Sequence, residues 1–233
     1  CIRDRSYVPD SYINPYEFYE SNVKGTLNML ELCRINNARM VFTSSYVYGI
    51  PHYLPIDEKH PLESLNPYSH TKILGESLCR SYYKNFNVPI TILRPSNIYG
   101  IGQNNNFLIP TIINQLYSNR VELKDKNPKR DYIYVEDMVE AYIHCLEPSL
   151  KKYRVFNIGT GKSYSVDDIV KIIVKESKRN PSIKFSDSDR KNEVMDLIYD
   201  INHANKNLNW TPRFSIEEGI RAILINYNKN RGQ

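Results

Sequence analysis

Helical and strand-like stretches alternate along this chain. Such alternation leaves few options beyond a parallel β-sheet covered by helices, so the fold class expected is α/β. Asn14 reads as an N-cap, Pro15 as the first helical position, and Glu17 stands three residues after the cap. That helix is expected to run to Cys33 or Arg34, with Val23, Leu27, Leu30 and Leu32 on its apolar side. Met40–Thr43 reads as a short buried strand. Gly49, Pro51, Pro55, Pro61 and Pro67 make 49–67 a loop. A second long helix is expected over 68–85, then a strand over 89–93 ended by Pro95. A Gly/Asn-rich loop over 100–106 and a helix over 108–119 follow. Tyr132–Tyr134 precedes a helix over 136–146, and Val155–Ile158 reads as a strand. Ser165 with Asp168, and Ser215 with Glu218, match the capping-box spacing before apolar helices. Residues 228–233 are expected to fray.

Composition narrows the class. The 233 residues allow one or two domains. Hydrophobic residues at 41% and charged residues at 24% are globular values that exclude collagen-like and wholly disordered chains. No apolar run approaches the roughly 18 residues of a membrane span, so no membrane partner is expected. The net charge of +5 is spread along the chain, so no nucleic-acid groove is expected. Cys1, Cys33, Cys79 and Cys145 are far apart, which argues against a metal site or a disulfide framework and for a cytoplasmic setting. The opening Cys1-Ile2-Arg3-Asp4-Arg5 reads as translated adaptor sequence, with native sequence expected from near Ser6.

Three residue types sit at a chemically useful spacing. Tyr68 and Lys72 are i,i+4 at the start of the second long helix and so share a face. Ser44 ends the preceding strand, where ligands meet parallel sheets. A phenol with a pKa near 10 is a poor base at neutral pH, but a neighbouring ammonium stabilises its phenolate. Tyr68, Lys72 and Ser44 could therefore remove a proton from a secondary alcohol while hydride leaves its carbon. No side chain accepts hydride, so a nicotinamide is implied. The Tyr-x-x-x-Lys spacing alone is common, and a solvated helix face also accommodates it.

The surrounding motifs sharpen this. Asn22-Val23-Lys24-Gly25-Thr26, Phe42–Gly49 (FTSSYVYG) and Asn66–Lys72 (NPYSHTK) with Gly75-Glu76 come first. Arg94–Gly100 (RPSNIYG), Arg130–Asp137 (RDYIYVED), Asn157–Gly161 (NIGTG) and Leu208–Pro212 (LNWTP) follow. In this order they resemble the extended short-chain dehydrogenase/reductase family, in its nucleotide-sugar epimerase/dehydratase branch, over nearly the whole chain from about Ser6. The resemblance implies a Rossmann-type doubly wound parallel sheet, its N-terminal strands missing, and a smaller C-terminal α/β substrate-binding domain. Residues 6–100 and 132–160 would form the first, and 101–131 and 161–233 the second.

Roles follow by resemblance. Ser44, Tyr68 and Lys72 would be catalytic. Asn22, Ser44, Tyr68, Lys72 and Pro95 would face NAD, with NADP the less expected cofactor. Ser45, Asn97, Leu108, Arg130 and Arg190 would hold a nucleotide-diphosphate sugar, the two guanidiniums suiting phosphate. A homodimer would pair the helices near 15–34 and 68–85, with Leu30 and Cys79 as contributors. Three departures stand out. The Gly-rich phosphate turn and the acidic ribose ligand of the family are absent and would belong upstream of residue 1, so the chain is expected to be a fragment that holds NAD poorly. Asn209 stands in the usual Gly place of LGWxP. Arg190-Lys191-Asn192-Glu193 departs from RxGD. Where dehydratases of the family carry Asp-Glu after the catalytic Ser, this chain has Ser45-Tyr46, which favours epimerisation through a transient keto-sugar. A 4,6-dehydratase with displaced acids, a keto-sugar reductase using NADPH, and a catalytically silent nucleotide-binding or assembly protein remain alternatives.

Overall fold

The computed structural model describes residues 6–147, 152–186 and 193–231. Cys1–Arg5 and Arg190, with the readings made of them, lie outside the described residues. The chain begins with α1 (Val8–Ile13), which the sequence reading did not foresee, and then α2 (Pro15–Phe18). A π-helical segment, Tyr19–Lys24, carries α2 without a break into α3 (Gly25–Ile35). Asn14 caps α2 only by position. Its side chain makes no cap bond, and its backbone N–H closes α1 onto Asp10 O.

The central sheet is parallel, with β1 (Met40–Thr43), β2 (Ile90–Pro95) and β6 (Arg154–Ile158) in the order β1-β2-β6. Side chains alternate between its faces. Phe42, Ile90 and Ile92 point to α3 and to α4 (Pro67–Phe86), with Val155 alongside. Leu93, Phe156 and Ile158 point to the other face. That face is covered by α6 (Val135–His144) and α8 (Asn202–Leu208), through Met138, Ala141, Ala204 and Leu208. Helices on both faces of a parallel sheet make the fold Rossmann-type α/β. Burying each large apolar side chain is worth about 1.5–3 kcal/mol. Leu30 and Cys79 are fully buried in the α3–α4–sheet cluster, so they face the sheet and not a partner.

Gly75 sets how closely α4 approaches β1. A Cβ there would stand 2.5 Å from Phe42 Cζ. β3 (Asn97–Tyr99) lies parallel to β5 (Lys129–Tyr134), which pairs antiparallel with β7 (Ser163–Ser165). The expected boundary between 131 and 132 falls inside β5. β4 (Arg120–Lys124) pairs with β8 (Ser182–Ser186). α5 (Leu108–Leu116), α7 (Val166–Ser177) and α9 (Ile216–Arg231) enclose a second core with Ile112, Ile169, Ile173 and Ile220. α9 continues well past the expected fraying point at 228. Both capping boxes form: Ser165 with Asp168, and Ser215 with Glu218.

The LNWTP departure has a physical reading. Asn209 ends α8 at φ +52°, the left-handed region that glycine usually fills and asparagine tolerates. The next residue, Trp210, is buried and donates from Nε1 to Asp137 O at 3.0 Å. The Asp137 carboxylate accepts from the Arg213 and Phe214 amides at 2.9 and 3.1 Å. Two distant motifs thus meet at one residue. Cys33, Cys79 and Cys145 are free and buried, and burial pushes the Cys79 and Cys145 thiols up to about 12. Among the described residues no helix is long and apolar enough to cross a membrane. Nor does any group of three or more His, Cys, Asp or Glu offer a metal site there.

Candidate active site

A cavity of about 720 Å³ opens at the carboxyl ends of β1 and β2. This is where ligands bind open parallel sheets, and the size suits a small-molecule ligand. Ser44, Ser45, Tyr68, Lys72, Pro95 and Asn97 all line it, as does Leu108. The structure brings these seven candidates together in one cavity.

Local structure explains the placement. Asn66 caps α4: its side chain accepts from Ser69 N at 2.8 Å, and Ser69 Oγ faces the Asn66 N–H at 3.3 Å. With Pro67 at the first helical position, Tyr68 and Lys72 occupy the first turns of α4. Lys72 is only 2% exposed. A buried ammonium needs compensation, and Nζ donates to Thr43 O at 3.0 Å. It also lies 5.3 Å from the Phe42 ring centroid and 6.0 Å from that of Tyr68. Lys72 therefore joins α4 to the end of β1, immediately before Ser44. The sheet ladder extends one residue further, Ser44 N donating to Leu93 O at 2.8 Å. Ser44 Oγ and Ser45 Oγ are buried and have no partner among the described residues.

Asn22 is buried but does not line the cavity. Its Nδ2 donates to Thr71 Oγ1 at 3.0 Å, and Thr71 in turn donates to Tyr68 O at 2.7 Å. The π segment, a frequent companion of functional sites, thus braces the turn that carries Tyr68. The Phe18 ring meets Tyr68 edge-on at 6.3 Å. Thr71 was not singled out from sequence, since nothing in NPYSHTK distinguishes it from a solvated helix residue.

Arg130 also lies off the cavity lining. Its Nη2 pairs with Glu193, and Nη1 donates to the carbonyls of Val194 and Lys129. Tyr46 lines the cavity with its ring stacked on Tyr199 at 6.5 Å and 22°. Its hydroxyl donates to Gly49 O at 2.5 Å, and burial pushes its pKa up, so the phenol stays protonated. Among the described residues lining the cavity there is no Asp or Glu, and Lys72 supplies its charged side chain.

Fold and site define a class: a Rossmann-type α/β enzyme with a Ser-Tyr-Lys set beside the carboxyl edge of its sheet. The match to the GDP-mannose 4,6 dehydratase family spans residues 5–223. The chain belongs to that family, within the extended short-chain dehydrogenases/reductases that epimerise or dehydrate nucleotide sugars. A Methanocaldococcus jannaschii protein is 36% identical over 235 residues, covering 97% of this chain and 75% of its own. The UDP-glucose 4-epimerase of Lactobacillus helveticus is 31% identical, covering 97% of this chain and 74% of its own. The crystal structure of UDP-glucose 4-epimerase with UDP-glucose from Thermotoga maritima superposes with a TM-score of 0.91 at 24% identity, over 98% of this chain and 76% of that one. That likeness concerns the fold.

Proposed function

We propose that this chain carries the catalytic machinery of an NAD-dependent nucleotide-sugar epimerase, working through a transient keto-sugar. The observation that supports this best is the placement of Lys72. It is buried between Tyr68 and the end of β1, one residue before a buried Ser44 hydroxyl that has no partner among the described residues. Ser44, Tyr68, Lys72 and Pro95 suit the nicotinamide end of a dinucleotide: an unpartnered hydroxyl, a phenol and an ammonium share one cavity. When bound, the nicotinamide supplies hydride acceptance and return.

The chain's own residues do the rest. Tyr68 takes the proton from a sugar hydroxyl, C4 being the carbon proposed. The Lys72 ammonium stabilises the phenolate electrostatically. Ser44 Oγ shares the proton's position and holds the oxygen as it becomes a carbonyl. After the keto-sugar turns over, Tyr68 gives the proton back on reduction from the other face. Asn22 acts through Thr71, keeping the first turn of α4 in place. Ser45, Asn97 and Leu108 form the sugar side. Arg130 would reach a diphosphate by exchanging its pair with Glu193.

Epimerase is favoured over dehydratase because water elimination needs a positioned acid and base. The cavity lining holds no carboxyl group among the described residues, and the Tyr46 hydroxyl is committed to Gly49 O. Both activities stand among the relatives' names: a UDP-glucose 4-epimerase in Bacillus subtilis, and a trifunctional protein with 4,6-dehydratase activity in Arabidopsis thaliana. A homodimer through the outer faces of α3 and α4 is part of the proposal. Leu32 and Ile35 are exposed there, as is Phe86, and sedimentation velocity tests it. The activity is tested by incubating the protein with NAD and UDP-glucose, and separately with UDP-galactose, and separating the products. Interconversion of the two supports the epimerase reading. Accumulation of a 4-keto-6-deoxy sugar would instead establish a dehydratase.

A further inference from the structure

The loop after β3 holds a polar group that the proposed reaction does not use. Gln103 lines the same cavity as Ser44 and Tyr68. Its Nε2 donates to Ile98 O at 2.8 Å. A carbonyl can only accept, so this bond fixes which way round the amide lies. Oε1 is the other end, and it is buried without a partner among the described residues. Leaving a buried acceptor unmet is unfavourable. Three of the five buried side-chain atoms in that condition, Ser44 Oγ, Ser45 Oγ and Gln103 Oε1, line this one cavity. A serine hydroxyl can turn to donate or accept, but an amide oxygen can only accept. Its ligand must therefore bring an O–H or N–H. An anionic oxygen offers neither. Ile101, Phe107 and Leu108 line the same cavity.

We propose that Gln103 Oε1 accepts a hydroxyl of the sugar ring, making Gln103 a substrate-positioning residue. The inference rests on the nucleotide-sugar reading above and adds a contact that recognises the sugar and not the nucleotide. A cofactor carboxamide is a second source of an N–H, and the test separates the two.

Wild-type protein is titrated calorimetrically with UDP-glucose, dTDP-glucose and GDP-mannose. The tightest of these is carried forward with its own free nucleoside diphosphate and with NAD. Gln103→Met should weaken the nucleotide sugar about three- to tenfold, the weight of one neutral hydrogen bond. It should leave the free diphosphate and NAD unchanged. Gln103→Ala, made in parallel, reads the same difference should the methionine variant not fold. An unchanged sugar-nucleotide affinity overturns the proposal. So does a parallel loss for the free diphosphate, which marks a structural role, or a loss confined to NAD. Absence of wild-type binding to all three sugar nucleotides overturns the nucleotide-sugar reading itself, and this proposal with it.

Discussion

Arg94 on β2 and Glu76 on α4 form a bidentate ion pair inside the protein, with Nε to Oε1 at 2.9 Å and Nη2 to Oε2 at 2.6 Å. The two side chains are 3% and 4% exposed. Burial works against the Arg94 charge, but the bonds to Glu76 and the neighbouring Tyr48 more than offset it. Tyr48 extends the network, receiving Arg94 Nη1 at 2.9 Å and donating to Asn157 Oδ1 at 2.5 Å. Glu76 stands one turn beyond Lys72, so the pair pins α4 to the sheet. Removing one partner leaves the other charge buried and alone. Glu76→Leu should cost about 3–5 kcal/mol, while Glu76→Leu combined with Arg94→Met should cost less than the single change. Urea denaturation of both variants checks this.

Tyr68→Phe removes the proposed acid/base and keeps the ring that meets Phe18. Turnover should fall by about two to four powers of ten, with the melting temperature unchanged. Near-native turnover in the folded variant would exclude Tyr68 from the chemistry.

Gly75→Ala places a methyl group against the Phe42 ring. Overpacking costs about 1–3 kcal/mol, which exceeds the helix-propensity gain of about 0.5–1 kcal/mol. The variant should melt at a lower temperature than wild type, the reverse of what the same change does at an open helix position.

Ser165 and Asp168 cap α7 reciprocally. Asp168 N donates to Ser165 Oγ at 3.0 Å, and Ser165 N donates to Asp168 Oδ2 at 2.9 Å. The side-chain and backbone bonds from Ser165 hold the Asp168 carboxyl below its ordinary 3.8. A carboxyl depressed in the folded state contributes fully above its unfolded value and loses that contribution as pH falls through the folded one. Ser165→Ala should therefore cost about 1 kcal/mol at neutral pH. The gap to wild type should narrow as pH falls below the ordinary 3.8 and through the lower folded-state value, as read by denaturant titrations at descending pH.

The parts of the fold legible in the sequence are those where one local rule dominates. Runs such as Ile90–Leu93 are apolar on both faces because both faces of the sheet are covered. Pro67 after Asn66 marks the start of α4 without ambiguity. β3, β4, β7 and β8 escaped notice because they are short and mostly polar, and gain their order from pairing with distant strands. Asn14 stands at the cap of α2 as read, but α1 precedes it at once and its side chain makes no cap bond. The π segment leaves no periodicity of its own. In the site, the motif residues on β1, α4 and β2 converge as expected. Asn22 and Arg130 carry partners, Thr71 and Glu193, that no spacing rule ties to them. Gln103 sits in a Gly/Asn-rich loop whose composition announces flexibility and hides a fixed amide.

Asp137 also bears on how the chain reaches its native state. Its carboxylate and carbonyl hold Trp210, Arg213 and Phe214, partners 73 to 77 residues away in sequence. Closing so long a loop gains nothing until both ends are shaped, and contacts of this span slow folding. The segment from Trp210 into α9 is thus placed to dock late, on a core already assembled around α6. In a cell it would leave the ribosome after that core and find its anchor waiting.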